Sequence, residues 1–200
     1  SLWGEIEPRE IEKALKENDD VALVWITNPT YEGVVSNVKA IADICKKYDV
    51  PLVVDEAHGC LWNFNKNLPE SSLHLGADAV VHSLHKTGGS MSQSSMLHIT
   101  EGSKFDPDEI ERTLQLLQTT SPAMLLMASL DAARANLESK HGKKQLNRAI
   151  QHAKYVRKRL HKIEGVHVLE ATENYNQDVT KVFVRVDGLS GKRLESILEI

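Results

Sequence analysis

Val21-Ala22-Leu23-Val24-Trp25-Ile26-Thr27, then Val38, Ile41, Ala42, Ile44, Cys45 and Tyr48, then Pro51-Leu52-Val53-Val54-Asp55: this succession decides the fold. The first run is apolar on both faces, as a strand covered on both sides by helices should be. Asn28-Pro29-Thr30-Tyr31-Glu32-Gly33 behind it reads as a turn. The middle set recurs at the helical period, with Asn37 placed to cap it, and the last set is a second apolar strand. A third strand, Asp78 to Ser83, follows a loop containing Pro69 and Gly76. Successive β-α-β units joined by right-handed crossovers predict an α/β fold of three layers, α/β/α, around a mostly parallel sheet. In such sheets ligands bind at the C-terminal ends of the strands. Thr27-Asn28, Asp55-Glu56 and Ser83 to Lys86 all fall there.

Outward from this core, Pro8 at a first helical position with Ile11, Ala14 and Leu15 predicts a short helix ending near Asn18. Downstream, Ser95 to Ile99 reads as one more strand. Asp106-Pro107-Asp108-Glu109 is a capped helix start, with Asp106 as cap and Pro107 at the first position. Long helical patterns run from about Pro122 to Glu138 and from Lys144 to Ile163. After Gly165 come β-like runs at Val166 to Leu169 and Lys181 to Val186, then Gly188 to Gly191 and a final helix start. The expected division is a major domain over 1–164 and, over 165–200, the start of a smaller α+β C-terminal domain. Ser1-Leu2-Trp3-Gly4 opens without Met and Glu199-Ile200 stops inside a helical pattern, so the expectation is a piece of something longer.

Composition narrows the partners. The chain has 200 residues, 41% hydrophobic and 26% charged, which suits a soluble globular protein and not a disordered tail. No apolar run reaches the roughly 18–20 residues of a membrane span, and no basic-then-apolar leader opens the chain, so a cytoplasmic protein without a membrane partner is expected. Lys and Arg total 24 against 28 Asp and Glu, a net charge of -4 without long blocks, which argues against a nucleic-acid surface and favours small-molecule partners. The 2 cysteines cannot build a disulfide framework, and Cys45 lies in a helical apolar stripe, where a buried thiol is expected.

Two residues carry chemistry most directly. Asp55 ends an apolar strand, where a carboxylate costs several kcal/mol unless a cation, metal or donor meets it. Lys86 follows another apolar strand, between His85 and Thr87-Gly88-Gly89. A lysine of lowered pKa can be a Schiff-base nucleophile, and a carboxylate facing a pyridinium nitrogen completes pyridoxal phosphate chemistry. Alone, the aspartate also reads as a cap or ion-pair member and the lysine as a solvated side chain.

Asp55-Glu-Ala-His58-Gly59, then Ser83-Leu-His85-Lys86-Thr87, then Thr119-Thr-Ser-Pro122 with Met127-Ala-Ser-Leu-Asp-Ala-Ala-Arg134 resemble, in order, the major domain of the ornithine/lysine/arginine decarboxylases. These are pyridoxal-phosphate enzymes of the aspartate-aminotransferase fold, type I. The resemblance implies that Lys86 holds the cofactor as a Schiff base until the substrate amine displaces it, and that Asp55 keeps the pyridine nitrogen protonated. It implies a flat ring seat over Ala57, two residues on from Asp55 along an extended chain. Ser83 and His85, two apart on one side, would serve phosphate oxygens or the neighbourhood of Lys86. His58 would border the substrate, or be a structural histidine. Asn28 or Thr30 would reach the ring hydroxyl, unless Asn-Pro-Thr is only a turn. Family members are homodimers in which the partner commonly contributes a phosphate contact, for which Thr120 or Ser121 would be the residue. Because the family's earlier phosphate loop and ring-covering side chain do not precede Ser1, the stretch alone is expected to bind cofactor poorly and turn over little. The implied activity is decarboxylation of lysine, arginine or ornithine to the amine, in polyamine biosynthesis.

Other readings remain open on the residues alone. Transamination shares the Asp and Lys pair. Asp55-Glu56-Ala57-His58 is also the Walker B box of one helicase family, but Gly-x4-Gly-Lys-Ser/Thr is absent and Ser-Leu-His-Lys-Thr stands where a coupling motif belongs. A metal hydrolase would draw on His82 and His85 near Asp55 and His58, yet residues three apart on a strand face opposite sides, so no metal ligand is expected. A purely structural or interaction domain is the last alternative.

Overall fold

The computed structural model describes residues 4–119, 121–172 and 175–198. Helix α1 is Pro8–Glu17, with Pro8 in its first turn, where a missing N–H costs nothing. Strand β1 (Val24–Thr27) leads through the short β2 (Val34–Val35) into α2 (Val38–Lys47) and β3 (Leu52–Asp55). Asn37 caps α2 as its sequence position predicts, its side chain accepting the Ala40 N–H at 3.1 Å. Then come β4 (Ala79–His82), the one-turn α3 (Leu84–Thr87) and β5 (Met96–Ile99).

The main sheet has the order β1-β3-β4-β5, with β1, β3 and β4 parallel and β5 antiparallel to β4. Leu52 and Val54 of β3, two apart, face Leu15 of α1 and Ile41 and Cys45 of α2 in one apolar cluster. Burial raises the Cys45 thiol to about 11, an inert packing group as its stripe position suggests. One strand departs from expectation. β1 starts at Val24 and not at Val21, lies at one edge of the sheet, and is covered on one face only among the described residues, with Trp25 61% exposed.

Asp106 caps α4 (Pro107–Leu117) by accepting the Asp108 N–H at 3.0 Å. The long helices α5 (Met124–Glu138) and α6 (Lys140–Leu160) meet at Ser139, whose hydroxyl oxygen accepts the Gly142 N–H at 2.9 Å. Ala133 of α5 packs with Cys60 and Leu84, while Leu146 and Ile150 of α6 pack on Trp62 and Val35. After Gly165, β6 (Val166–Val168) pairs with β8 (Val184–Val186), β7 (Asn176–Gln177) pairs with β2, and α7 (Gly191–Leu198) follows. Arg157, buried on α6, ties this segment down. Its guanidinium donates to the Lys181 carbonyl at 2.9 Å, to Gln177 Oε1 at 2.6 Å and to the Leu169 carbonyl. Among the described residues no helix is long and apolar enough to cross a membrane.

Candidate active site at the strand ends

The parallel strands end level with one another. Thr27 of β1, Asp55 of β3 and Val81 of β4 are in register across the sheet, so the chain leaves all three strands on one edge. From β1 it passes into Asn28, whose N–H donates to the Asp55 carbonyl at 3.0 Å. Asn28 is fully buried. Its Oδ1 accepts the Ser36 N–H at 2.8 Å, while Nδ2 is buried and finds no acceptor among the described residues. Thr30 Oγ1 accepts the Val34 N–H at 3.2 Å, closing the turn.

β3 stops at Asp55 because the chain turns on the aspartate itself: Oδ1 accepts the Ala57 N–H at 3.0 Å. This corrects the extended-chain reading of Ala57, which is buried inside that turn and does not continue the strand's alternation. The turn delivers His58. Lys86, on α3, points back toward it, with Nζ 3.3 Å from His58 Nε2. Burial depresses the His58 pKa and the nearby Lys86 and Lys181 charges depress it further, against a smaller opposing pull from Asp55. A neutral imidazole carrying its proton on Nδ1 has the Nε2 lone pair free to accept from the lysine.

Ser83 and His85 part company. Helix α3 begins at Leu84, so Ser83 is its buried N-cap residue and His85 lies in its first turn, where residues two apart point to different sides. His85 Nδ1 bonds the Ser94 carbonyl at 2.8 Å. The expected common side does not exist. Thr120 lies outside the described residues; Ser121 is exposed and donates its N–H to Thr119 Oγ1 at 3.2 Å.

Glu56 is the residue that motif reading missed. It is fully buried between Asp55 and Ala57, and its carboxylate accepts Ser71 O–H at 2.5 Å and the Ser72 N–H at 2.7 Å and bonds His82 Nε2 at 2.8 Å. It thereby ties the Asp55 turn to the end of β4, which leads into Lys86. Only the cost of a second acidic group beside an apolar strand signals it in sequence. His82 also meets the His98 ring edge-on at 4.8 Å, and burial, then His82, lowers the His98 pKa. The two histidines of the metal reading thus have separate partners, and among the described residues no group of three His, Cys, Asp or Glu could hold a metal ion. Removing Glu56 strands its buried partners. Glu56→Ala is expected to destabilise the fold by about 3–5 kcal/mol in urea unfolding, and a loss under about 1 kcal/mol would contradict the role assigned to it.

Beside Lys86 and His58 opens a cavity of about 610 Å³, lined also by Tyr31, Glu32, Leu61 and Lys181. Tyr31 meets the His58 ring edge-on at 5.3 Å. Lys181 Nζ lies 3.6 Å from the buried Asp178 carboxylate, which Trp62 Nε1 holds at 3.0 Å. Neither Lys181 nor Asp178 carries a local motif that would flag it.

Solved structures define the class. Lysine decarboxylase A from Pseudomonas aeruginosa superposes with a TM-score of 0.74 at 22% identity, over 95% of this chain and 33% of that one. The cystathione gamma lyase CalE6 from Micromonospora echinospora gives 0.69 at 21%, over 96% and 50%. The fold is that of the pyridoxal-phosphate-dependent enzymes of fold type I. Sequence narrows the class: the model of the Orn/Lys/Arg decarboxylase major domain matches residues 3–192, and the chain belongs to that family. An arginine decarboxylase from Bacillus subtilis (strain 168) is 38% identical over 193 residues, 93% of this chain and 39% of the relative. The constitutive lysine decarboxylase of Escherichia coli (strain K12) is 26% identical over 145 residues, 69% of this chain and 20% of the relative. The chain spans less than half the length of these curated relatives.

Proposed function

We propose that this chain is the cofactor-holding part of a pyridoxal-phosphate-dependent decarboxylase acting on a basic amino acid: lysine, arginine or ornithine. The observation that carries the reading is the approach of Lys86 Nζ to His58 Nε2, 3.3 Å, beside a cavity at the sheet edge where Asp55 also ends its strand. The residues fit the cofactor. Lys86 supplies a primary amine, and Asp55 Oδ2 accepts no hydrogen bond among the described residues, while Asn28 offers a buried Nδ2 donor in search of an acceptor. When bound, pyridoxal phosphate supplies an electron sink for the carbanion left as carbon dioxide departs.

The chain's own residues do the rest. Only an unprotonated amine can attack a carbonyl, and His58 Nε2, held neutral by burial and by the nearby lysine charges, lies within hydrogen-bond reach of Lys86 Nζ. Asp55 would hold the proton on the ring nitrogen, its own position fixed by the Ala57 N–H on Oδ1 and by the strands on either side. Asn28 or Thr30 would serve the ring hydroxyl, Ser83 a phosphate oxygen, His85, its Nδ1 held by the Ser94 carbonyl, the neighbourhood of Lys86, and Thr120 or Ser121 of a second copy the phosphate. Homodimerisation is part of the proposal, supported by the exposed Leu116, Leu117, Met124 and Leu125 around the α4–α5 connection. So is a cytoplasmic setting. Lys181, a cation in the same cavity, favours transamination, which needs a partner for a carboxylate that stays. Its pairing with Asp178 weakens that case.

The test is product analysis. A full-length polypeptide carrying this sequence, supplied with pyridoxal phosphate, is expected to release carbon dioxide and the matching amine in equal amounts from one of the three amino acids. Keto acid without carbon dioxide would establish the transaminase instead.

A further inference from the structure

The cavity beside Lys86 contains an unmatched negative charge. Of its lining residues only Glu32 is a carboxylate, and among the described residues it enters no ion pair. The cavity's other cation besides Lys86, Lys181, already has Asp178 at 3.6 Å. Leu61, Leu146, Ala149 and Val182 give the cavity apolar walls, alongside Thr87 and Thr180.

Glu32 is half-buried and its backbone is fixed on both sides. Before it, the Tyr31 ring meets His58 at 5.3 Å. After it, Gly33 has φ of +95°, and a Cβ there would stand 2.6 Å from Lys181 Cβ, so only glycine lets the Lys181 stem pass. The Gly33 N–H donates to the Thr30 carbonyl at 3.0 Å, and its carbonyl accepts the Asp178 N–H at 2.9 Å.

A carboxylate left without a partner costs free energy unless a cation arrives with the ligand. A ligand that reacts at Lys86, runs along apolar walls and ends at a carboxylate is a linear chain of methylenes tipped by a cation. We propose that Glu32 receives the distal ammonium or guanidinium of the substrate and so sets the preference for basic amino acids. This assignment rests on the decarboxylase reading above and extends it to the side-chain end of the same site.

Glu32→Gln keeps the shape and removes the charge. In the full-length, cofactor-loaded protein the variant is expected to raise KM for the preferred basic amino acid by about 10- to 100-fold, the loss of one charge-assisted contact, with kcat changed only a few-fold. Binding of the corresponding product amine, followed by equilibrium titration, should weaken by the same factor. Norleucine, the uncharged counterpart of lysine, should be handled no worse by the variant than by the wild type. Unchanged KM and amine affinity, or equal losses for lysine and norleucine, would overturn the assignment of Glu32. Wild-type protein that decarboxylates no basic amino acid would instead overturn the function on which it rests.

Discussion

Lys86→Ala is expected to abolish covalent capture of pyridoxal phosphate and to lower turnover by about 10⁴-fold or more, because the side chain supplies both the attacking nitrogen and a proton carrier at the reacting centre. The geometry makes this the largest single effect. Lys86 is exposed at the cavity, on a single helical turn, so its removal leaves no buried partner stranded and the fold should be untouched. His58 loses only the contact at 3.3 Å. Absorbance titration with cofactor and carbon dioxide release together check the expectation. Near-normal turnover by a folded Lys86→Ala protein would remove the basis of the assignment.

Asp55→Ala should separate attachment from catalysis. The cofactor should still couple to Lys86, since nothing in that bond needs the aspartate, but turnover should fall by about 10³-fold or more because the charge that keeps the ring nitrogen protonated is gone. Alanine also frees the Ala57 N–H that Oδ1 now accepts, which loosens the turn and adds to the loss. Asp55→Asn separates the causes. It keeps an acceptor oxygen for Ala57 and should lose nearly as much turnover. An Asp55→Asn protein with wild-type kcat would contradict the role of the charge.

Much of this was legible in the sequence, and what was not has physical causes. Apolar patterning predicts β1, α2, β3 and β4, and with them the edge on which Asp55 and Lys86 both fall: β3 and β4, buried on both faces, carry unbroken apolar runs, whereas the apolar run of β1 overstates its coverage. Geometry after the strand ends was not legible. The reading of Ala57 and of the Ser83 and His85 pair extended a period of two beyond Asp55 and His82, but a side-chain hydrogen bond turns the chain at Asp55 and a helix begins at Leu84. Strands β2 and β7 have two residues each, too few for any period, and Ser95 to Ile99 gave no sign that β5 would run antiparallel. Glu56 is read from its neighbours and not from its motif: only packing places Ser71, Ser72 and His82 around it. Glu32 and Lys181 lie 149 positions apart and share a cavity because β7 pairs with β2 and the Asp178 N–H bonds Gly33.

The central claim is that Lys86 is where this family member holds its cofactor. Borohydride treatment of the full-length protein mixed with pyridoxal phosphate, followed by peptide mass mapping, tests it most directly. The expected result is a single reduced pyridoxyl adduct on the peptide containing Lys86, absent from Lys86→Ala. An adduct on Lys181 or another lysine, with Lys86 unmodified, would contradict it.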